Sequence, residues 1–133
     1  MSQVKILVID DDEGMTEILA LLLNPAWSDI LTANSGKDGI ELAQKMSPDV
    51  IILDLMMPGM NGWQVTKEIR AFSEVPILIL SAIDSPGLVA DALDAGADDY
   101  VTKPVSSGTL IARINKILRR TKVSPPALTT RQP

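Results

Sequence analysis

The chain has 133 residues, of which 46% are hydrophobic and 22% charged, the balance of one compact domain with a core of its own. It contains no cysteine and no histidine, which excludes a disulfide framework, a thiol site, imidazole ligands and a phosphohistidine relay within the chain. A net charge of −5 argues against nucleic-acid binding by this chain alone, and no apolar run approaches the roughly 20 residues of a membrane span.

Strand-like and helix-like segments alternate. Val4–Ile9 reads as an apolar strand and ends in Asp10, Asp11 and Asp12. Glu13–Leu23 places Met15, Ile18, Leu19 and Leu22 on one helical face. Ile30–Ala33 is a short strand. Ser35 caps the next helix, with Asp38 three residues later in the pattern of a capping box, and Ile40 and Ala43 face inward. Val50–Leu53 is a continuous apolar run, the mark of a strand buried on both faces, and Asp54 follows it at once. Pro58-Gly59 stops the strand, and Asn61 caps a helix carrying Val65, Ile69 and Phe72. Pro76–Leu80 is a fourth strand, and Gly87–Ala95 a helix closed by Gly96. Asp99–Thr102 is a fifth strand. Ser106 caps the last helix, whose stripe is Leu110, Ile114, Ile117 and Leu118.

This alternation predicts an α/β domain, a doubly wound five-stranded parallel sheet with right-handed crossovers. The domain takes residues 1–121. Residues 122–133, with three prolines and no period in "VSPPALTTRQP", read as a flexible Pro-rich linker or tail. The polar residues that end the apolar strands are Asp10, Asp11, Asp54, Ser81 and Lys103. In an open parallel sheet they share one edge, where ligands bind. Three carboxylates there repel one another, and a hard divalent cation such as Mg²⁺ relieves the repulsion. A carboxylate nucleophile, a cation, an ammonium and a hydroxyl are the parts of phosphoryl transfer to an aspartate. Taken alone, Asp10 and Asp11 serve equally well as helix N-caps, and Asp12 and Glu13 read better as caps than as ligands.

The motifs "ILVIDDDE", "DVIILDLMMPGMNG", "ILILSA" and "GADDYVTKP" occur in this order, and together they resemble bacterial response-regulator receiver domains, a resemblance that covers residues 4–120. The resemblance implies a flavodoxin-like sheet of order 2-1-3-4-5. It implies Asp54 as phospho-acceptor, with a sensor histidine kinase as partner. Mg²⁺ would be held by Asp10, Asp11, Asp54 and the backbone carbonyl of Met56, with Asp11 a direct ligand and Asp10 acting through water. Ser81 matches a switch hydroxyl, Lys103 a phosphate-binding lysine and Tyr100 an aromatic that swings inward on activation. A cis bond joins Lys103 and Pro104. Such a chain is a cytoplasmic phospho-acceptor switch, not a turnover enzyme, with Mg²⁺-dependent self-phosphorylation and slow self-dephosphorylation. A dehalogenase-type phosphatase would need an acid where Met56 stands, and the stretch "DDDEG" would repel a flavin phosphate.

Departures from the family pattern bear on turnover. Val105 stands where most members have Phe, and Met56 and Ile83 are apolar at the two variable positions beside the phosphoryl site. The last helix, "GTLIARINKILRRTK", is similar to that of receivers joined to a winged-helix DNA-binding domain. This implies transcriptional output through a domain absent from the chain; a stand-alone receiver acting by protein contacts or in a phosphorelay is the alternative. It also implies a weak homodimer on phosphorylation through the fourth helix, fifth strand and fifth helix. There Asp94, Asp98 and Asp99 would meet Arg113, Lys116 and Arg120. Val89 and Thr109 stand where that subfamily places a further basic and acidic partner, so one pair of bridges is missing.

Overall fold

The structure, a computed structural model, describes residues 3–122. Strands β1 (Lys5–Ile9), β2 (Asp29–Ala33), β3 (Val50–Leu53), β4 (Ile77–Ser81) and β5 (Asp99–Thr102) alternate with helices α1 (Glu13–Leu23), α2 (Gly36–Met46), α3 (Gly62–Arg70), α4 (Pro86–Asp94) and α5 (Ser107–Lys122). All strand pairs are parallel, in the order β2-β1-β3-β4-β5. The expected doubly wound sheet is therefore present.

Successive residues of a strand point to opposite faces, and here both faces are oily. Leu7, Ile9, Ile51, Leu53, Ile77 and Ile79 form one layer with Ala43, Val65 and Ile69 of α2 and α3. Their neighbours Ile6, Val8, Val50, Ile52, Leu78, Leu80 and Val101 form the other, against Leu19 and Leu23 of α1 and Leu110, Ile114, Ile117 and Leu118 of α5. Each fully buried side chain of this size contributes on the order of 1.5–3 kcal/mol. The result is a stiff sheet whose C-terminal edge has little freedom to move.

Local chemistry sets the helix ends. Asp12 caps α1 by accepting from Met15 N–H at 3.2 Å. Ser35 caps α2 through Asp38 N–H at 3.1 Å. The complete reciprocal box is found at α3, between Asn61 and Gln64. Ser106 Oγ accepts from Thr109 N–H at the start of α5. Gly96, with φ +119°, carries the chain out of α4 in a conformation that suits glycine.

Two expectations need correction. The buried stripe of α1 is Thr16, Leu19 and Leu23, while Ile18 and Leu22 are 52% and 36% exposed. The helix is turned because Thr16 satisfies its hydroxyl internally and can be buried. Phe72 lies beyond α3 and is also exposed, since α3 ends at Arg70. Helix α5 runs through Lys122, and the rest of the expected linker, residues 123–133, lies outside the described residues. Among the described residues no helix is long and apolar enough to cross a membrane.

Helix α2 comes down hard on the end of β1. A Cβ on Gly39 would lie 2.5 Å from Cδ1 and 2.8 Å from Cγ1 of Ile9, the residue before Asp10. Alanine favours a helix over glycine by about 1 kcal/mol, but overpacking a tight core costs about 1–3 kcal/mol. Gly39→Ala is therefore expected to lower stability by about 1 kcal/mol, read as an earlier urea midpoint. A later midpoint would mean that Ile9 yields without strain.

Candidate functional site

The sheet delivers its polar residues by extending the ladder one step past the apolar strands. Asp10 N–H donates to Ala33 carbonyl at 3.1 Å, Asp54 N–H to Ile9 carbonyl at 2.9 Å and Lys103 N–H to Ser81 carbonyl at 2.8 Å. Asp10, Asp54 and Ser81 are buried, whereas Asp11 is exposed. One carboxylate oxygen from each of Asp10, Asp11 and Asp54 lies within 4.8 Å of the others. Lys103 Nζ is 3.2 Å from Asp10 Oδ2 and 3.6 Å from Asp54 Oδ1. The Lys103-Pro104 peptide bond is cis.

Two buried carboxylates thus share one ammonium, with a third carboxylate at the rim. Asp54 responds: burial, then the charge of Asp10, and more weakly that of Asp11, push its pKa up to about 6, although Lys103 pulls the other way. Asp10 is better provided. Its Oδ1 accepts from Asp12 N–H at 3.0 Å and its Oδ2 faces Lys103. An all-oxygen donor set with excess negative charge fits a hard divalent cation of the magnesium type. Met56 follows two residues after Asp54 in the same loop and is exposed.

Ser81 and Tyr100 are joined through one residue. Ser81 Oγ accepts from Ile83 N–H at 3.2 Å, and the Tyr100 hydroxyl donates to the Ile83 carbonyl. Tyr100 is half-buried against the α2–α3 side of the core. The expected dimer-face charges are partly engaged within the protomer. Asp98 Oδ2 accepts from Arg70 at 2.9 Å and from Ile77 N–H at 2.8 Å. Asp99 pairs with Arg113 at 2.8 Å. Asp94, Lys116 and Arg120 are exposed.

Sequence reasoning missed three residues that shape the site. Gly62 N–H donates to the Leu55 carbonyl at 2.7 Å, and a Cβ there would lie 2.8 Å from the Asp54 carbonyl oxygen and from Leu55 Cα. Only a residue without a side chain lets α3 start this close to Asp54; the glycine directly after the Asn61 cap was the available signal. Asn34 Nδ2 donates to the Asp10 carbonyl at 2.9 Å and to Thr16 Oγ1 at 3.1 Å. Neither Asn34 nor Thr16 stands out in the sequence, because their contact joins α1 to the residue after β2.

The family described as response regulator receiver domain matches residues 6–115. The transcriptional regulatory protein AfsQ1 of Streptomyces coelicolor is 42% identical over 115 residues, 86% of this chain and 51% of AfsQ1. The chain therefore spans about half the length of that curated relative. A two-component response regulator from Clostridium difficile superposes with a TM-score of 0.86 at 31% identity, covering 90% of this chain and 98% of that one. The receiver domain of the Francisella response regulator 1452 gives 0.83 at 36% identity, covering 89% and 98%.

The pKa of Asp54 has a consequence for stability. Between 3.8 and about 6 the folded protein keeps this proton while the unfolded chain has lost it. The contribution of Asp54 to stability is therefore greatest below the unfolded value and declines as pH rises through that window. Asp54→Asn removes the ionisation. In metal-free buffer it is expected to raise stability at pH 7.5 by about 1–3 kcal/mol, with no comparable gain at pH 3. Thermal unfolding at the two pH values checks this, and equal gains at both would assign the effect to packing.

Proposed function

The chain belongs to the response regulator receiver domain family, and from that premise we propose that it is a phosphorylation-activated switch in which Asp54 accepts a phosphoryl group from a sensor histidine kinase. The convergence of Asp10, Asp11 and Asp54 within 4.8 Å, with Lys103 in reach of two of them, carries this reading. Asp54 is ionised at neutral pH, yet its pKa of about 6 makes it more basic than an ordinary carboxylate, as a nucleophile should be. An oxygen of Asp54 attacks phosphorus as the phosphorus–nitrogen bond to the kinase imidazole breaks. The electron pair stays on that nitrogen, which solvent then protonates. Lys103 lies beside the oxygens on which charge develops.

Asp10, Asp11, Asp54 and the Met56 carbonyl would hold Mg²⁺, which supplies further neutralisation of the transferring group. Asp11, exposed and unencumbered by Lys103, suits direct ligation. Asp10, with one oxygen on Asp12 N–H and the other on Lys103, suits a role through water. Phosphoryl oxygens accept the Ser81 O–H and draw the hydroxyl toward them, away from Ile83 N–H, which donates to the same oxygen, and Ile83 also holds Tyr100. Phosphorylation thereby reaches Tyr100 and the face made by α4, β5 and α5. Neither Met56 nor Ile83 offers a side-chain polar group to orient an attacking water, so the aspartyl phosphate is slow to hydrolyse. The readout is an attached DNA-binding domain in the cytoplasm, a reading supported by the name and greater length of AfsQ1.

Acetyl phosphate with Mg²⁺ should add one base-labile phosphoryl group at Asp54, seen by mass spectrometry, and Asp54→Asn should abolish it. Full labelling of that variant elsewhere would defeat the assignment. A phosphoryl mimic should shift the protein from monomer to a weak dimer in sedimentation, and Arg113→Glu should suppress the shift. Identical mass with and without the mimic over a broad concentration range would remove the dimer and leave a stand-alone receiver.

A further inference from the structure

We infer that Asn34 is a positioning residue for the acidic loop, and that Thr16 completes its mounting. The inference rests on the reading of Asp10, Asp11 and Asp54 as a cation site. Asn34 follows the last residue of β2 and makes no hydrogen bond to a carboxylate of that site. Its amide nitrogen has two hydrogens, and both are used. One bond, of 2.9 Å, goes to the backbone carbonyl of Asp10, and the other, of 3.1 Å, to Thr16 Oγ1. Thr16, 2% exposed, passes its own hydrogen to the Glu13 carbonyl at 2.9 Å.

One side chain therefore spans both ends of the turn that carries Asp11 and Asp12. Its anchors are the last peptide of the β1 extension and the first turn of α1. A side chain needs two donors on one atom to do this, so an aspartate of the same shape cannot, and an alanine leaves the Asp10 carbonyl and the Thr16 hydroxyl without this partner. The need for such a brace follows from charge. Three carboxylates held within 4.8 Å push the loop outward, and Lys103 touches only Asp10 and Asp54. Asp11 is kept near the others by its backbone, and that backbone is fixed at Asp10 by Asn34. The brace keeps the three oxygens close before a cation arrives, so that binding does not have to reorder the turn.

The test uses the whole chain and Mg²⁺ alone, titrated by calorimetry at a temperature where every variant is folded. Amide exchange at Asp11 and Asp12 is measured in the metal-free proteins. Removal of such outer partners typically lowers metal affinity about 10–100-fold, and a loss of about tenfold is expected for Asn34→Ala. Thr16→Val should lose a smaller factor, and Thr16→Ser, which restores the hydroxyl, should return close to the parent. Exchange at Asp11 and Asp12 should accelerate in the same order. Mg²⁺ affinity within twofold of the parent in Asn34→Ala would overturn the inference, as would equal losses in Thr16→Val and Thr16→Ser. If the parent itself binds no Mg²⁺, the cation reading fails, and unchanged exchange in Asn34→Ala and Thr16→Val then overturns the brace as well.

Discussion

Two buried carboxylates share one ammonium, and the third sits close enough to repel both. Nothing in an oily sheet would choose this arrangement for stability. Burying an ionised carboxylate is costly unless it is paired, and Lys103 cannot fully pair two. The structure tolerates it because the strands beneath cannot move. Ile9, Leu53 and Ile79 are buried and lie in register across β1, β3 and β4, so Asp10 and Asp54 leave the sheet at fixed positions. Gly39 and Gly62 then allow α2 and α3 to approach those same strand ends. The stiffness supplied by hydrophobic burial is what allows a repulsive site to persist.

Under the proposed function, the same imbalance would let the site signal. An added phosphoryl group would bring oxygens that need donors, and the Ser81 hydroxyl, on the same sheet edge, accepts from Ile83 N–H at 3.2 Å and can offer its own hydrogen. Ile83 is bonded on both sides of its peptide, through N–H to Ser81 and through its carbonyl to Tyr100. A change at Ser81 therefore reaches Tyr100 through one loop residue. The element that follows is the least anchored helix. Ala92 is the buried residue of α4, its Ser85 cap makes no side-chain hydrogen bond, and Pro86 opens its first turn. Few buried apolar contacts mean a low cost of displacement. A stiff site beside a loosely held helix is a workable switch.

The fold was readable because strands buried on both faces leave unbroken apolar runs, and Val50–Leu53 and Ile77–Leu80 are such runs. The candidate site was readable because Asp10, Asp54 and Ser81 each follow such a run, Lys103 follows the fifth strand, and parallel strands put their ends on one edge. The α1 stripe was not readable, since Thr16 counts as polar until its hydroxyl is seen bonded to Glu13 and Asn34. Gly62 and Asn34 were missed for a related reason: their importance lies in close approaches between distant segments, which no local period records. Asp98 and Asp99, before and in the fifth strand, read in the sequence as partners for the basic groups of a second copy. Only the structure shows that Arg70 and Arg113 of the same chain already occupy them.

That occupancy bears on how two copies would hold together. Arg113 already meets both oxygens of Asp99, at 3.0 and 2.8 Å. A bridge between protomers that recruits Arg113 must give up this one, or share it. Exposed ion pairs are worth about 0–1 kcal/mol, so exchanging one for another leaves almost no net gain. The free energy of such a dimer must come from elsewhere on the face. Val89 and Leu93 sit four residues apart on α4, on one side of the helix, and Leu93 is 43% exposed. Apolar contact there adds on association without any bond being traded. The charges of β5 and α5 would then fix the register and the two-fold symmetry, while the side chains of α4 would supply the affinity. Because α4 is also the helix with the fewest buried residues, a shift in its position would change the affinity of such a dimer directly.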